Sequence, residues 1–424
     1  MKITRAYKVE LDPNNEQRTA LLRHCGAARF VYNWGLAHKI EAREKGEKVL
    51  NWQKLDGVLR SIIDEEFPWL RETSKWSRQV ALANLDNAYK AFFDRCKKGK
   101  KGKATGFPKF KSRKSGIGGF GDFAYIVRSD SIKLSCIGRV RLKESNCIPL
   151  GGYGKNTDTI RFYGARITER AGRWFVSVHV EIEVPDAIAK TENIIGVDMG
   201  VKSLAVASNG LTFENPKALK CRERKLKRLS RQLSRKVKGS TNRKKAARRV
   251  AVLHAKVADV RRHTLHHVSH VLTRKASVLV IEDLNVQGMM KNHHLAQAIG
   301  DASFGELRRQ LTYKSQWRGV ELVVAPRFFP SSKTCFSCGA VNADLKLSHR
   351  VWSCECGARV DRDLNAALNL RNVAASRAET LNACGGESSG EPLAARETSP
   401  REAGSGLETC VSLSPASSEN GSNL

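Results

Sequence analysis

Two acidic residues lie within or directly after apolar runs of strand length, and this pattern restricts the fold more than any other feature of the sequence. Asp198 lies in IIGVDMGV at 194–201, and Glu282 lies near the end of SVLVIEDL at 277–284. An ionised carboxylate among apolar side chains costs free energy unless it is paired or binds a metal ion. The sequence therefore predicts two buried strands whose acids share a partner.

A third acidic position accompanies the start of a predicted helix at 362–372. There the segment DRDLNAALNL contains Asp361 and Asp363. Cleavage of phosphodiester polymers commonly uses two metal ions about 4 Å apart that are held by carboxylates, and Mg²⁺ prefers oxygen ligands. The chain order of strand Asp, strand Glu and helix-start Asp predicts that Asp198, Glu282 and Asp363 converge on Mg²⁺ or Mn²⁺ in a nuclease site.

Each of these acids also has a purely structural explanation. For Asp198 the alternative is a carboxylate that caps a turn. For Glu282 or the adjacent Asp283 it is a helix cap or a salt bridge. For Asp361 or Asp363 it is a helix N-terminus stabilised by the helix dipole. Because all three positions occur together in this order, the metal site is the favoured interpretation.

The segment at 335–357, CFSCGAVNADLKLSHRVWSCECG, contains two cysteine pairs, each followed by glycine. This spacing is typical of a structural zinc site, in which four thiolates leave no open coordination position for chemistry. Disulfides are the alternative, which a reducing compartment disfavours, and His349 is an alternative for one ligand. The second pair is CxC and not the commoner CxxC. The predicted zinc ligands are Cys335, Cys338, Cys354 and Cys356.

The charge of the chain is strongly positive. Its 424 residues include 74 Lys and Arg against 42 Asp and Glu, a formal net charge of +32. The segment 217–275 alone contains 21 Lys and Arg and two acids, with apolar residues at helical spacing. A solvated basic surface would suffer self-repulsion, whereas a bound polyanion would neutralise it, so the composition favours a nucleic acid partner.

Neither a membrane span nor a secretion signal is predicted. No apolar run is long enough to cross a bilayer, and the N-terminal segment lacks the apolar core of a signal peptide. The protein is therefore expected in the cytoplasm, with its eleven cysteines reduced.

Hydrophobic periodicity divides the chain into regions of different structure. The region of alternating patterns in the middle of the chain predicts an antiparallel sheet or small barrel. The C-terminal region is rich in Ser, Gly, Glu and Pro, which is typical of disorder. The regions are a strand at 1–10, helices from 12 to about 93, a basic connector at 97–114, strands over 120–183, three further strands over 194–213, and the C-terminal region after about 375.

Several motifs together resemble one known family. GVDMGVKSLAVAS, then VLVIEDLNV, then the cysteine segment directly before DRDLNAALNL are similar to the TnpB (transposon OrfB) family of RNA-guided DNA endonucleases, which is related to the type V CRISPR effectors. FVYNWGL at 30–36, GFPKFK at 106–111 and PRFFPSSKTCFSCG at 326–339 support the resemblance. It covers about residues 1–375, and the CxC pair and the long tail depart from it.

The resemblance implies an α+β multidomain fold. An RNase H-like (RuvC) α/β nuclease domain would contain an inserted zinc ribbon, and an N-terminal β-barrel-like module would contain an inserted helical module. The implied boundaries are 1–11 and 111–190 for the β-barrel-like (wedge) module, 12–110 for the helical recognition module, 191–332 and 358–375 for the nuclease domain, 333–357 for the zinc ribbon and 376–424 for a disordered tail.

The resemblance also implies a function. The chain would bind a guide RNA made from the transposon end and cut both strands of a double-stranded DNA target beside a short flanking motif. Asp198, Glu282 and Asp363 would be the catalytic acids, with Asp361 as the alternate at the third position. The protein is expected to act as a monomer, in the cytoplasm and associated with the nucleoid.

One candidate contact for the flanking DNA motif lies at the start of a helix that is predicted to be exposed. An ordinary polar helix face is the alternative interpretation. The residues are Lys75, Ser77, Arg78 and Gln79.

A second candidate contact for nucleic acid is the segment GFPKFK. Lys109 and Lys111 lie there among aromatic residues, a composition that suits a nucleic acid backbone. Phe107 and Phe110 could stack on bases or could anchor a loop.

Two rival functions share parts of this pattern. A cut-and-paste transposase has an RNase H-like site, but it would also need a helix-turn-helix domain that binds the transposon ends, and no convincing one is found. A non-catalytic regulator that binds nucleic acid would be expected to have lost one of the acids, and all three are present.

Overall fold

The computed structural model describes residues 2–113, 118–152, 154–184, 193–343, 345 and 349–383. No helix within these ranges is long and apolar enough to span a membrane. The helices are α1 (Asn15–Glu44), α2 (Trp52–Glu66), α3 (Lys75–Lys97), α4 (Glu223–Ser234), α5 (Thr241–Lys275), α6 (Val286–Met289), α7 (Ala296–Ala302), α8 (Phe304–Arg318) and α9 (Arg362–Ala383). The strands are β1 (Lys2–Asp12), β2 (Gly119–Asp122), β3 (Ile126–Val127), β4 (Ser131–Leu134), β5 (Gly138–Leu142), β6 (Gly151–Gly152), β7 (Ile160–Arg170), β8 (Arg173–Glu183), β9 (Ile194–Asp198), β10 (Ser203–Ala207), β11 (Thr212–Glu214), β12 (Val278–Glu282), β13 (Glu321–Ala325), β14 (Val351–Ser353) and β15 (Arg359–Asp361).

The C-terminal end of the described chain differs from the prediction. The helix predicted at 362–372 is present as α9, but it continues to Ala383. Most of the segment predicted to be a disordered tail, from 384 onward, lies outside the described residues.

An antiparallel sheet combines the N-terminal strand with strands from the middle of the chain. Its order is β2-β7-β8-β1-β5-β4-β3-β6, and each neighbouring pair is antiparallel. β1 pairs with β8 from Lys2 to Leu11 and with β5 through Leu11 and Asp12. The strand at 1–10 and the antiparallel sheet over 120–183 are thus present as predicted.

Helices α1, α2 and α3 share one hydrophobic core with this sheet. α1 begins with a capping box, in which the side chains of Asn14 and Gln17 each accept a hydrogen bond from the backbone N–H of the other. A Cβ added at Gly35 of α1 would lie 2.7 Å from a methyl of Leu82, so α1 and α3 pack closely. The helices between β1 and β2 therefore fold against the sheet that they interrupt.

A second sheet has the order β11-β10-β9-β12-β13. β9, β12 and β13 are parallel, whereas β10 and β11 run antiparallel to their neighbours. The chain leaves β9 toward β10 on one side and later enters β12 on the other side. In open α/β sheets, ligands bind at the carboxyl ends of strands where the order reverses in this way. That position lies between β9 and β12.

Side chains that alternate along these strands separate two cores. Ile195 of β9 and Leu279 of β12 face the core formed with α5, α7 and α8. Val280 of β12 faces a second core, which contains Leu370 of α9. The sheet is therefore covered on both faces, as expected for parallel strands whose sequences are almost continuously apolar.

Gly196 of β9 faces α9, and replacing it with alanine is expected to destabilise the fold. The added Cβ would lie 2.1 Å from the carbonyl O of Ala367 and 2.4 Å from the backbone N of Arg371, both in α9. A helix backbone cannot rotate aside as a flexible side chain can, so α9 would move away from the sheet, at a cost of about 1–3 kcal/mol or more. Thermal unfolding should show a lower midpoint.

Gly57 in α2 provides the matched control for that substitution. A Cβ added there would have no neighbour within 4 Å, and alanine is favoured over glycine inside a helix by about 0.5–1 kcal/mol. Gly57→Ala should therefore keep or raise the midpoint. Equal midpoints for Gly196→Ala and the unaltered protein would contradict the close packing of α9.

Ionic and aromatic contacts join the antiparallel sheet to the helices of the second sheet. Arg173 of β8 donates hydrogen bonds to Glu10 of β1 and, at 3.0 Å, to Asp259 of α5. Asp259 is one of the two acids of the basic helical segment. Arg5 of β1 lies 4.8 Å from the ring centre of Trp317 in α8, a cation–π contact. The antiparallel sheet thus contacts α5 through Asp259 and α8 through Trp317.

Candidate active site and zinc site

Asp198 and Glu282 end the two adjacent parallel strands at which the strand order reverses. β9 and β12 pair up to the contact between Val197 and Ile281, and the two acids directly follow these paired residues. The two acids are partly exposed, whereas the residues before them are buried. The sheet thus brings acids from distant parts of the sequence to one edge.

Helix α9 brings Asp363 to the same edge, because α9 packs on both strands. Burial is the main cause that raises the pKa of Asp198 to about 8, and the negative charges of Glu282 and Asp363 add to it. The guanidinium of Arg362 acts in the opposite direction. A bound divalent cation would relieve such repulsion, and a set of three carboxylates suits Mg²⁺ or Mn²⁺. The donor groups therefore fit the predicted metal.

Asp361 has a structural role in the described chain. Its Oδ1 accepts hydrogen bonds from the backbone N–H groups of Asp363 at 2.9 Å and Leu364 at 3.3 Å. This is how a side chain caps the N-terminus of a helix. The structural explanation for Asp361, a carboxylate at a helix N-terminus, is thus observed. Asp363, whose carboxylate lies 3.9 Å from Arg350, remains the candidate metal ligand at the third position.

The three acids influence one another electrostatically, but they do not surround a single point. Within the described ranges, the four cysteines considered below form the one group of His, Cys, Asp and Glu ligand atoms spaced closely enough to hold one ion. The oxygens of Asp198, Glu282 and Asp363 do not reach that spacing as a trio. A two-ion site does not require every carboxylate to contact the same ion. The spacing of the three acids is therefore compatible with a two-ion site.

Ser331 orients one oxygen of Glu282. Its hydroxyl donates a hydrogen bond to Glu282 Oε1 at 2.5 Å. Ser331 is 5% exposed, and its backbone O accepts a hydrogen bond from the Asn369 side chain of α9 at 2.7 Å. This contact leaves the second oxygen of Glu282 for other partners. No sequence pattern points to Ser331, because only the folded loop brings it to an acid 49 residues away.

Asp283, directly after Glu282, forms ion pairs with two arginines. Arg308 of α8 and Arg327 each lie 2.6 Å from one of its oxygens. Hydrogen bonding to Arg308, with a further contribution from Arg327, holds the pKa of Asp283 below its usual range. The salt bridge considered for this strand end is therefore observed at Asp283. Glu282 is left as the candidate metal ligand.

A groove of about 660 Å³ opens beside Glu282. Cationic residues contribute to its walls, namely Arg327, Lys333 and Arg362. The same groove is lined by the carboxylates of Glu282 and Asp283, and cationic residues beside carboxylates suit a phosphate backbone that approaches a metal ligand.

The four candidate zinc ligands meet in space. Their sulfur atoms all lie within 4.8 Å of one another, with Cys335 and Cys356 at 3.7 Å and Cys338 and Cys354 at 3.5 Å. Burial opposes ionisation of Cys335, but the backbone N–H groups of Cys338 and Ser337 lower the pKa of its thiol to about 7. Thiolates are the form that binds zinc, and the close grouping of the four sulfur atoms suits a four-cysteine site.

Two glycines and one asparagine build this site into the fold. Gly339 and Gly357, which follow the second cysteine of each pair, have φ of 77° and 88°, a region that favours glycine. The Asn365 side chain of α9 donates to Thr334 O and accepts from the Phe336 N–H. The cysteine segment is therefore fixed to the helix that carries Asp363.

The structure contradicts part of the predicted contact with the flanking DNA motif. Ser77 is fully buried and donates to Ser74 O, and Arg78 is 6% exposed and donates to Leu70 O. The prediction that these two residues lie on an exposed face is wrong, because they fix the first turn of α3 to the preceding loop. They are also unsuited to contact DNA in this conformation.

The other two residues of that prediction keep surface positions. Lys75 is exposed, with its Nζ 4.9 Å from the ring centre of Trp76. Gln79 is partly exposed and donates to the Asp56 carboxylate of α2 at 2.9 Å. Their contact with DNA stays a prediction.

The GFPKFK segment lies along α1 and α3. Phe107 packs edge-on against Phe92 of α3, with ring centres 5.3 Å apart, so it anchors the loop. Phe110 is 58% exposed. Lys109 is exposed, and Lys111 Nζ lies 3.7 Å from the ring centre of Tyr32 in α1. Binding of nucleic acid by these lysines also stays a prediction.

Three family models match different parts of the chain. A model for OrfB of the IS605 type, described as "Probable transposase", matches residues 177–293, and the model "Cas12f1-like, TNB domain" matches 304–370. A model described as "Helix-turn-helix domain" matches 1–48. The described part of that segment, residues 2–48, forms the strand β1 and the single helix α1, and so contains no helix-turn-helix. It therefore gives no support to the transposase rival.

A solved structure also aligns with this chain, but only weakly. "Cryo-EM structure of the Cas12f1-sgRNA-target DNA complex" has 18% sequence identity and a TM-score of 0.33 over 87% of this chain and 99% of that chain. A TM-score of this size supports no conclusion, and none is based on it.

Curated proteins match almost the whole chain. A protein of Streptomyces pristinaespiralis named "Putative RNA-guided DNA endonuclease" is 37% identical over 388 residues, which cover 91% of this chain and 92% of that protein. InsQ of Escherichia coli (strain K12), whose name has the same wording, is 33% identical over 417 residues, 93% of this chain and 97% of that protein. With such identity over nine-tenths of its length, the chain belongs to the TnpB (transposon OrfB) family of RNA-guided DNA endonucleases.

Proposed function

We propose that this chain cleaves double-stranded DNA beside a short flanking motif, at targets chosen by a bound guide RNA from the end of its transposon. Divalent metal ions held by Asp198, Glu282 and Asp363 would support the reaction. This proposal is based on the position of these acids near the carboxyl edge of one sheet, where burial and, to a smaller extent, the charges of Glu282 and Asp363 raise the pKa of Asp198. The wording of the relatives' names supplies the RNA-guided part of the proposal.

The domain organisation that accompanies this function is also a proposal. An open sheet with helices on both faces and acids between its two central strands supports an RNase H-like (RuvC) domain at 191–332 and 358–375. The cysteine segment at 333–357 interrupts this domain as a zinc ribbon. The antiparallel sheet would be the wedge module at 1–11 and 111–190, and the helices at 12–110 the recognition module.

The residues of the nuclease site have separate tasks. When bound, the metal ions would activate water and stabilise the leaving oxygen of the phosphodiester. Asp198, Glu282 and Asp363 supply carboxylate ligands from β9, β12 and α9. Ser331 fixes one oxygen of Glu282 through a hydrogen bond. The second oxygen of Glu282 would then be available as a metal ligand. Asp283 holds Arg327 beside the groove. There the positive charge of Arg327 would attract the DNA backbone.

Zinc would act on this site only through structure. The four cysteine sulfurs would hold one Zn²⁺ and close the ribbon, and a closed four-thiolate site has no open position for a substrate. Asn365 and Asn369 of α9 connect the start of the ribbon to the helix that carries Asp363. Zinc would therefore stabilise the position of the third acid.

RNA and DNA would bind mainly to the basic helices. α4 and α5 belong to the segment with 21 Lys and Arg, and α4 has no buried residue. Such helices neutralise phosphates without reading sequence, and an RNA–DNA duplex presents chiefly its backbone and shape to a protein. Sequence selection would come from base pairing between guide and target.

Sequencing the RNA that copurifies with the protein, followed by a cleavage assay, tests the proposed function. The purified complex should cut a plasmid that carries a sequence complementary to the guide segment, only when Mg²⁺ or Mn²⁺ is present. A plasmid with a scrambled target is the control and should remain intact. Metal-dependent cleavage without any RNA would contradict RNA guidance, and binding of the matched target without cleavage under any metal would contradict the nuclease.

Replacing Ser331 with alanine is expected to weaken metal binding by about 10–100-fold, the range typical for loss of a hydrogen bond to a metal ligand. The substitution removes the hydroxyl that holds Glu282 Oε1. Mn²⁺ binding by calorimetry and the Mg²⁺ concentration that gives half-maximal cleavage should both shift. Ser61→Ala, at an exposed serine of α2 whose hydroxyl donates only to Val58 O within its own helix, is the control and should change neither value. Unchanged metal binding by Ser331→Ala would show that this hydrogen bond does not position Glu282.

A further inference from the structure

Phe328 is a large apolar side chain that the fold leaves almost completely in solvent. It is 92% exposed, whereas the adjacent Phe329 packs against the core between β12, β13 and α9. The two residues lie in the loop that leads from β13 toward the zinc ribbon. Burial of Phe329 therefore accounts for one ring of this pair, and Phe328 requires another explanation.

The loop that presents Phe328 is held at both ends. Arg327, directly before it, forms an ion pair with Asp283 at 2.6 Å. Ser331, three residues after it, donates to Glu282 at 2.5 Å. Asp283 and Glu282 are consecutive residues at the end of β12. The exposed ring is thus projected from a fixed turn beside the nuclease site.

The length of the loop limits how far the ring can lie from the acids. Consecutive residues span at most about 3.6 Å of extended chain, so the Cα atoms of Phe328 and Ser331 lie within about 11 Å of each other. Ser331 directly contacts Glu282. The ring is therefore within a few nucleotides of any phosphate that is bound at the acids.

The surroundings of the loop indicate which partner the ring would contact. Arg327, Phe329, Lys333 and Arg362 line the groove beside Glu282. An apolar protein segment would gain nothing from these cations, whereas a nucleic acid strand offers phosphates to the cations and a flat aromatic face to the ring. Stacking on an aromatic side chain tolerates every base, because each base has a π-face.

We propose that Phe328 forms a stacking subsite for one unpaired base next to the phosphate that is cut. The proposal rests on the proposed nuclease function and names a binding contact within that site. The ring would hold the DNA strand in register with Asp198, Glu282 and Asp363 without selecting a sequence. Its main consequence is faster cleavage, with no change in the recognition of the target by the guide.

The test combines substitutions of Phe328 with abasic positions in the DNA. Loss of one stacked base typically weakens the hold on that strand by about tenfold or more, so Phe328→Ala should slow single-turnover cleavage of the bound target by about tenfold. Phe328→Trp should restore the rate, whereas Phe328→Leu should not, because leucine is apolar but cannot stack. In the unaltered protein, an abasic site at one nucleotide next to the cut should produce the same loss. In Phe328→Ala that abasic site should cause no further loss.

A binding measurement separates stacking from catalysis. In an Asp198→Asn background, 2-aminopurine at the same nucleotide should lose fluorescence on binding, and Phe328→Ala should abolish this quenching. Binding of the guide-matched duplex should stay the same in all variants. Two results would contradict the stacking subsite while leaving the nuclease proposal intact, provided that the unaltered protein cleaves DNA. One is that Phe328→Leu cleaves as fast as Phe328→Trp, and the other is that no abasic position slows cleavage. Failure of the unaltered protein to cleave would instead contradict the nuclease.

Discussion

Replacing Asp198 with asparagine is expected to reduce cleavage of a guide-matched target by at least about a thousandfold. Metal ions in such sites supply several kcal/mol of transition-state stabilisation, and each 1.36 kcal/mol is about tenfold in rate. Burial and then the charges of Glu282 and Asp363 raise the pKa of Asp198, so the substitution removes the proposed ligand on which both other acids act. Single-turnover cleavage of a matched plasmid measures the effect.

RNA and target binding should survive that substitution, because the basic helices α4 and α5 do not depend on it. Burial raises the pKa of Asp198, which means that folding disfavours its charged form. Asparagine has no charge, so the midpoint of thermal unfolding should not fall. Asp130→Asn is the matched control, because this exposed acid pairs with Arg139 in the antiparallel sheet. The Asp130→Asn protein should cleave DNA normally. Normal cleavage by Asp198→Asn would remove Asp198 from the active site.

Replacing Cys335 with serine is expected to release the structural zinc and to reduce cleavage by at least about a hundredfold. Structural zinc sites contribute about 10–16 kcal/mol of apparent binding free energy, which here would stabilise the ribbon. Cys335 is the buried member of the four cysteines. Without zinc, the ribbon would no longer support the start of α9, where Asp363 lies.

Zinc content measured by elemental analysis tests this prediction directly. The unaltered protein should contain about one zinc per chain, and Cys335→Ser should contain close to none. Cys96→Ser, at an exposed cysteine near the end of α3, is the matched control and should keep its zinc and its activity. Full zinc content in Cys335→Ser would contradict the four-cysteine site. Normal cleavage by a zinc-free variant would contradict the coupling of the ribbon to α9.

Features that depend on local pattern could be predicted from the sequence. The acids at the ends of apolar strands fall as predicted at the ends of β9 and β12, because an apolar run followed by an acid is visible within about eight residues of sequence. The four cysteines meet because their spacing and the following glycines specify a turn at each pair. Both signals are contained in short segments of the sequence and do not depend on contacts with distant residues.

Features that depend on packing between distant segments could not be predicted. Ser77 and Arg78 look like exposed helix residues, and only the loop that covers α3 shows that they are buried. Ser331 acquires its contact with Glu282 through a loop that is positioned by α9. Asp361 and Asp363 are equivalent in sequence, and the hydrogen bonds that start α9 distinguish the cap from the candidate ligand.

Anomalous scattering from Mn²⁺ in crystals of the protein bound to guide RNA and target DNA would locate the metal ions of the nuclease site. Two peaks about 4 Å apart are expected, with carboxylate oxygens of Asp198, Glu282 and Asp363 at ligand distance. The Asp198→Asn protein should lose at least one of these peaks. Peaks elsewhere on the chain, with none at the carboxyl edge of β9 and β12, would contradict the proposed nuclease site.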